Sequence, residues 1–289
     1  MNLEQETKRL LFRYGIRVKK HLGQNFLIDP EVLQKIIQAA DLTPEDSVIE
    51  IGAGPGILTG EIARRVKKVF AIELDEELLR CLKKNLSGYN NVEIIKGDVL
   101  KTDFSSIIDG RIFVKIIANL PYYITTPILM HLLKQNFVPS TLLVLMVQKE
   151  VGLRLVALPG CKDYGILSIV VQYYTKPELF SIIPRVAFFP RPEVDSSLVK
   201  LTILDRPPVE LKNEKLFFSL VRASFGHRRK TLANALLKSP LGFTKFEAAR
   251  LFTAAGIDCH RRAEELSLED FARLSNELSK LRNTEKETK

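Results

Sequence analysis

The stretch that decides the fold is SVIEIGAGPGILTGEIARRV, residues 47–66. Its first residues are β-prone and mostly apolar, and the run stops at Gly52. ILTGEIARRV follows with apolar residues at helical spacing. A short strand feeding a glycine-rich turn and then a helix is the opening of a parallel α/β unit. Outward from it the pattern repeats. VFAIEL (69–74), VEIIKGD (92–98), IFVKIIANL (112–120) and TLLVLMVQ (141–148) read as strands, with helix-like EELLRCLKKNL and TPILMHLLKQ among them. Several are apolar almost throughout, as strands are when helices cover both faces of a sheet. The expected fold is therefore a doubly wound α/β sheet, mostly parallel.

Beyond about residue 180 the pattern changes. LFSIIPRVAFFPRPEVDSSLVKLTIL (179–204) has β-rich ends around a proline-studded centre and predicts a pair of strands joined by a structured loop. DRPPVE (205–210) reads as a boundary. After it only helical periodicity remains, in LFFSLVRASFG, RKTLANALLK, FEAARLFTAAG and SLEDFARLSNELSKL. The expected organisation is a basic arm over 1–25, an α/β domain over 26–204 and a small all-helical domain over 205–289.

The charge distribution follows these divisions. The chain of 289 residues carries a net +9. Residues 1–25 hold +4, residues 26–204 are neutral and residues 205–289 hold +5. Two solvated polar ends would account for this, and so would a polyanion gripped at both flanks of a neutral catalytic centre. No stretch approaches the length of a membrane span. The start, MNLEQETKRLLFRYG, has no apolar secretory core. Cys81, Cys161 and Cys259 are odd in number and far apart, and His21, His131, His227 and His260 are dispersed. Neither set has disulfide or metal spacing, so a reducing cytoplasm and a metal-free site are expected.

The chemistry concentrates at predicted strand ends. In Glu50-Ile-Gly52-Ala-Gly54-Pro-Gly56 the glycines let backbone approach a ligand closely. Dinucleotide fingerprints place the third glycine three positions after the second. Here it follows after two, the form seen in methyltransferases, whose cofactor has no pyrophosphate. Glu73 ends the second strand, where a carboxylate can accept from both hydroxyls of a ribose. Asp98 ends the third, where it can accept from an adenine amino group. Each acid alone would read as a helix N-cap; together, in this order, they describe a pocket for S-adenosylmethionine.

After the fourth strand comes Asn119-Leu120-Pro121-Tyr122. An exocyclic adenine amine is a poor nucleophile because its lone pair is delocalised into the ring. The side-chain oxygen of Asn119 and the backbone carbonyl of Leu120 can accept its two N–H groups and favour a pyramidal nitrogen. Pro121 stiffens the turn, and Tyr122 offers a face for a flipped-out base. Fixed dipoles of this kind stabilise the developing positive charge. The bland alternative is a turn followed by a packed aromatic.

Glu50–Gly56, Glu73, Asp98 and NLPY together resemble the rRNA adenine N6 methyltransferases. GQNFL (23–27), MVQKEVGLRL (146–155), DYGILS (163–168), FFPRPEVDSSL (188–198) and FGHRRKTLANAL (225–236) resemble the KsgA/RsmA group within it. The likeness spans roughly residues 20–275. Ala53, Pro55, Tyr123 and Gly152 depart from the commoner Pro, Leu, Asn and Ala. The resemblance implies a Rossmann-like methyltransferase sheet of seven strands with a helical C-terminal RNA-binding domain. It implies cofactor contacts from Asn25, Leu27, Gly52, Gly54, Glu73, Asp98, Val99 and Asn119. It also implies that Phe188 faces Tyr122 across the target base, with Phe189 read as the core residue of the pair; the alternative for Phe188 is a core aromatic covering the sheet edge. Arg222, Arg228, Arg229 and Lys230 are expected on phosphates, although a solvated cluster would look the same. The implied reaction is dimethylation of two adjacent adenines near the 3′ end of small-subunit (16S) rRNA. The implied substrate is a pre-ribosomal 30S particle, and the enzyme is expected to be a monomer off the membrane. A large-subunit methyltransferase of the macrolide-resistance type, or a mainly RNA-binding assembly or transcription factor, are the alternatives.

Overall fold

The structure, a computed structural model, describes residues 3–19, 22–108, 114–135, 137–227 and 229–287. The chain forms two compact units, one of residues 1–152 and 176–205, the other of residues 153–175 and 206–289.

The first unit is built on a seven-stranded sheet. After helix α1 (Leu3–Arg13), strand β1 (Phe26–Leu27) and α2 (Pro30–Ala40), the chain alternates. It runs through β2 (Ser47–Ile51), α3 (Ile57–Ala63), β3 (Lys68–Glu73), α4 (Glu76–Asn85) and β4 (Val92–Lys96). A short α5 (Phe104–Ile108), β5 (Val114–Asn119), α6 (Thr125–Leu133) and β6 (Leu142–Gln148) complete the alternation. Helices α7 (Lys149–Val156) and α8 (Ile166–Tyr174) precede β7 (Thr175–Ile183), β8 (Phe188–Phe189) and β9 (Ser196–Ile203). The sheet order is β4-β3-β2-β5-β6-β9-β7. Strands β2 to β6 pair in parallel, and β9 runs antiparallel to β6. Every residue of β2 is buried, as are all of β3 but Lys68 and all of β6 but its two end residues. These are the runs the sequence shows as apolar throughout.

Two features of this topology place the site. The chain moves outward in one direction from β2 through β3 to β4, then restarts on the other side of β2 with β5. Ligands in open α/β sheets bind at such a reversal, beyond the carboxyl ends of the strands. Register makes that edge level. Ile51 pairs with both Ile72 and Ala118, Glu73 with Lys96, and Asn119 with Met146. Gly52, Glu73, Asp98 and Asn119 therefore emerge along one edge.

Helix α1 packs into the first unit, with Leu11 and Ile16 clustering against Phe26, Leu78 and Cys81. Thr7 Oγ1 donates to the Leu27 carbonyl at 3.3 Å. β1 pairs antiparallel with β8 in a small separate ribbon, Phe26 opposite Phe189 and Leu27 opposite Phe188. Local periodicity does not announce a ribbon of two residues per strand.

The second unit is helical. It contains α8, α9 (Glu214–Phe225), α10 (Leu232–Leu237), α11 (Lys245–Ala255) and α12 (Leu268–Glu287). Its larger segment starts at Arg206, within DRPPVE, and residues 153–175 also belong to it. The reason is packing: Tyr164, Ile169 and Tyr173 share a core with Phe217, Phe225, Phe252 and Phe271. Helix ends follow their local chemistry. Thr244 and Glu247 form a reciprocal capping box on α11, and Gly256 ends that helix in the left-handed conformation. No helix among the described residues is long and apolar enough to cross a membrane.

Candidate active site

The cavity at the reversal point is lined by the glycine loop, by the ends of β3 and β5, and by residues 22–27. The loop after β2 turns back on itself through three left-handed glycines, with φ of 74°, 57° and 89° at Gly52, Gly54 and Gly56. Side chains resist that region, and a Cβ on Gly56 would stand 2.8 Å from Leu82. The alternating glycines are thus a backbone requirement, and they carry amide groups to the cavity wall.

Glu73 is the organising acid. Its Oε1 accepts from the backbone N–H groups of Leu74 and Asp75, each at 2.8 Å. Its Oε2 accepts from Gly54 N–H at 2.8 Å. A carboxylate has about four acceptor positions, so Glu73 ties the loop to the strand end and keeps one position for a ligand hydroxyl. Burial raises the Glu73 carboxyl above its ordinary range, and the three backbone donors oppose the shift. Asp98 lines the cavity and also accepts from Leu100 N–H at 3.0 Å, so ligand wall and N-cap are the same residue. Val99, Gly52, Gly54, Asn25 and Leu27 line the same cavity.

In the sequence Glu50 stands out only as part of a glycine motif. In the structure it is 2% exposed, lines the cavity, and has its Oε2 buried with no hydrogen-bond partner among the described residues. Burial pushes its carboxyl up to about 8, and the nearby Glu73 charge adds to the shift. An orphaned acceptor beside a carboxylate is matched by a cationic, hydrogen-bond-donating ligand. Its alternation with buried β2 neighbours hides this role, because an acid in an apolar run looks like an exposed position.

Asn119 ends β5 at the cavity wall. Its Nδ2 donates to the backbone carbonyl of Asn25 at 2.9 Å, and Asn25 Nδ2 donates to the Gly23 carbonyl at 3.0 Å. This commits the Asn119 amide nitrogen as donor and leaves Oδ1 as acceptor. Leu120 is buried and its N–H donates to the Met146 carbonyl, which anchors the turn. Pro121 lines the cavity. Tyr122 is half-buried, and its hydroxyl lies 2.7 Å from Ser196 Oγ. Burial raises the Tyr122 phenol above its usual range, with the Ser196 hydroxyl opposing. Tyr123 lines the cavity and is 57% exposed.

Lys19 and Gln24 fasten this wall to the sheet edge at a second point. Lys19 Nζ pairs with Asp75 at 2.9 Å, and Gln24 Nε2 donates to the same carboxylate at 2.9 Å. Burial alone would raise the Asp75 carboxyl, but Lys19, Gln24 and the Glu77 N–H hold it below the usual range.

The two aromatics of this segment turn to different apolar clusters. Phe188 is 2% exposed and sits in the core with Ile183, Ala187 and Leu198, so it presents no open face across from Tyr122. Phe189 is the more exposed of the two, packs against the cluster of Leu11, Phe26 and Leu78, and lies under Lys8 Nζ at 5.0 Å. Neighbouring strand residues point to opposite faces. Pairing with β1 decides which: Leu27 and Phe188 turn to the sheet core, whereas Phe26 and Phe189 turn to the α1 cluster.

In the helical unit Arg222 lies in the last turn of α9, and Arg229 and Lys230 follow before α10; all three are exposed. Arg228 and His21 lie outside the described residues. The consecutive Asp258, Cys259 and His260 bring donor atoms within 4.8 Å of one another, a grouping that residue spacing did not suggest. The second unit holds nineteen Lys/Arg and twelve Asp/Glu, a net +7 of the chain's +9.

Comparison with known proteins gives the family of the chain. The family model described as ribosomal RNA adenine dimethylase matches residues 15–280. A ribosomal RNA small subunit methyltransferase A of Moorella thermoacetica is 49% identical over 280 residues, covering 94% of this chain and 96% of the relative. The protein of that name from Geobacillus thermodenitrificans is 50% identical over 282 residues, covering 95% and 96%. Among solved structures, a dimethyladenosine transferase from Plasmodium falciparum superposes with a TM-score of 0.75 at 32% identity, covering 88% of this chain and 98% of that one. The 23S rRNA methyltransferase ErmE superposes with a TM-score of 0.67 at 25% identity, covering 88% and 100%. With its strand-end acids and its Asn-Leu-Pro-Tyr turn in register, the chain belongs to the ribosomal RNA adenine dimethylase family.

Proposed function

We propose that this protein uses S-adenosylmethionine to dimethylate N6 of two adjacent adenines near the 3′ end of small-subunit rRNA. The observation that carries the reading is Asn119, whose amide is turned by the Asn25 carbonyl so that Oδ1 is the acceptor at the cavity wall. When bound, the cofactor supplies an electrophilic methyl group. Its fit rests on the orphaned Glu50 Oε2, the remaining acceptor position of Glu73, Asp98 and the glycine loop. Asn25, Leu27, Gly52, Gly54 and Val99 complete its contacts.

The target amine is held by Asn119 Oδ1 and the Leu120 carbonyl, one for each N–H. Those two acceptors turn the nitrogen lone pair toward the cavity and stabilise the positive charge that grows there. Pro121 keeps the turn rigid, and Tyr122 gives the base a face to stack on. Phe188 supports this wall from the core. No metal enters the scheme, because the leaving proton sits on a nitrogen already made acidic by alkylation.

Exposed Arg222, Arg229 and Lys230, together with Arg228, take RNA phosphates in this reading. The particle is a pre-30S subunit in the cytoplasm, and the enzyme acts as a monomer. Relatives named for the small subunit at about half identity favour this RNA over the large-subunit substrate named for the more distant ErmE. A purely binding role does not use the intact acceptors at the strand ends. The test is methyl transfer from labelled cofactor to unmodified small subunits and, separately, to large subunits. Label in the small subunit is expected; label confined to the large subunit overturns the substrate, and label in neither overturns the reaction.

A further inference from the structure

Within FFPRPEVDSSL, Phe188 packs in the core and the far end of the segment reaches the NLPY turn. Ser196 opens β9, is fully buried, and places Oγ 2.7 Å from the Tyr122 hydroxyl. The strand on which it sits is fixed to its surroundings. Lys149 N–H donates to the Asp195 carbonyl at 2.9 Å, and Ser197 Oγ donates to the Lys149 carbonyl at 3.2 Å. Arg185 N–H donates to Asp195 Oδ1 at 3.1 Å. Ser196 also pairs with Gln148 at the end of β6, the strand beside the Asn119 turn.

We infer that Ser196 is a positioning residue for the methyl-transfer reaction: its hydroxyl anchors the far end of Tyr122 and so fixes the direction in which that ring meets the target base. A tyrosine held only at its backbone samples several χ1 wells. Held at both Cα and Oη, it can rotate about its long axis but cannot swing. A base stacked on Tyr122 then finds the ring already placed, and less order is lost on binding. Residues 185–197 thereby act as a brace that carries the rigidity of the sheet to the NLPY turn. Ser196 touches neither base nor cofactor in this scheme. The inference rests on the base-stacking role given to Tyr122 above, although its structural half stands without any substrate.

Two measurements separate the halves. In the cofactor-free protein, three-bond NMR couplings to the Tyr122 aromatic Cγ report χ1. Wild type is expected to show one rotamer, Ser196→Ala an average of several, and Ser196→Thr a return toward one. A loss of stability alone does not produce that signature. Unchanged couplings in Ser196→Ala overturn the inference, whether or not small subunits prove to be the substrate. In methyl transfer to small subunits, Ser196→Ala and Tyr122→Phe should each lower kcat/KM by roughly two- to tenfold, as expected for one neutral hydrogen bond. The double variant should lose little more than either single one, since both remove the same bond. Additive losses, or full activity in Ser196→Ala, overturn it. Tyr122→Phe probes the bond from its half-buried end and so does not depend on tolerance at the buried serine.

Discussion

At the residue scale the site depends on acceptors held in place by backbone. Asn119→Ala removes an acceptor without opening the core, so methyl transfer should fall by at least about 100-fold, the usual effect of deleting one oxyanion-type hydrogen bond. RNA binding measured by filter retention should stay near wild type. Glu50 makes a sharper statement about pH. Its folded carboxyl is raised to about 8, so the folded cofactor-free protein keeps a proton that the unfolded chain releases near the ordinary carboxyl range. Stability attached to this group is therefore present at low pH and is lost as pH rises toward 8. Glu50→Gln removes the titration. Its Tm relative to wild type should climb between about pH 5 and pH 8, and thermal melts across that range check the sign. Cationic cofactor bound beside Glu50 should also favour its ionised form. Binding then releases protons, and calorimetry in buffers of different ionisation enthalpy measures their number.

At the scale of elements, packing distinguishes this chain from its resemblance. A Cβ on Gly152 in α7 would lie 2.3 Å from Ser197 Cβ on β9, closer than atoms can pack. Gly152→Ala should therefore destabilise the protein by about 1–3 kcal/mol, the usual cost of overpacking. Adding Ser197→Gly should recover most of it, and paired denaturant melts test both. Such couplings also mark how far the sequence can be read. β2 to β6 and the three strand-end positions Gly52, Glu73 and Asn119 are legible because apolar runs and glycine breaks are local signals. The faces taken by Phe188 and Phe189 are not, since two adjacent aromatics look alike until a partner strand sets their faces. Residues 153–175 read as part of the α/β domain for a similar reason. Tyr164 and Tyr173 pack on Phe217 and Phe225, residues that lie more than forty positions downstream. Glu50 is hidden by its own burial: an acid between Ile49 and Ile51 gives no sign that its carboxyl turns into a cavity.

At the scale of the whole molecule, charge is unevenly shared. The helical unit holds +7, which leaves +2 for the unit that contains the cavity. If Arg222, Arg229 and Lys230 sit on phosphates, reversing all three to Glu should weaken RNA binding. It should also flatten the dependence of log K on log salt by about 0.7–0.9 for each phosphate no longer neutralised. An unchanged slope assigns the three side chains to solvent. The Asn25 carbonyl, finally, makes one mechanical piece of the cofactor pocket and the catalytic turn. The same backbone stretch lines the cavity and accepts from the Asn119 amide, so a change that displaces one displaces the other.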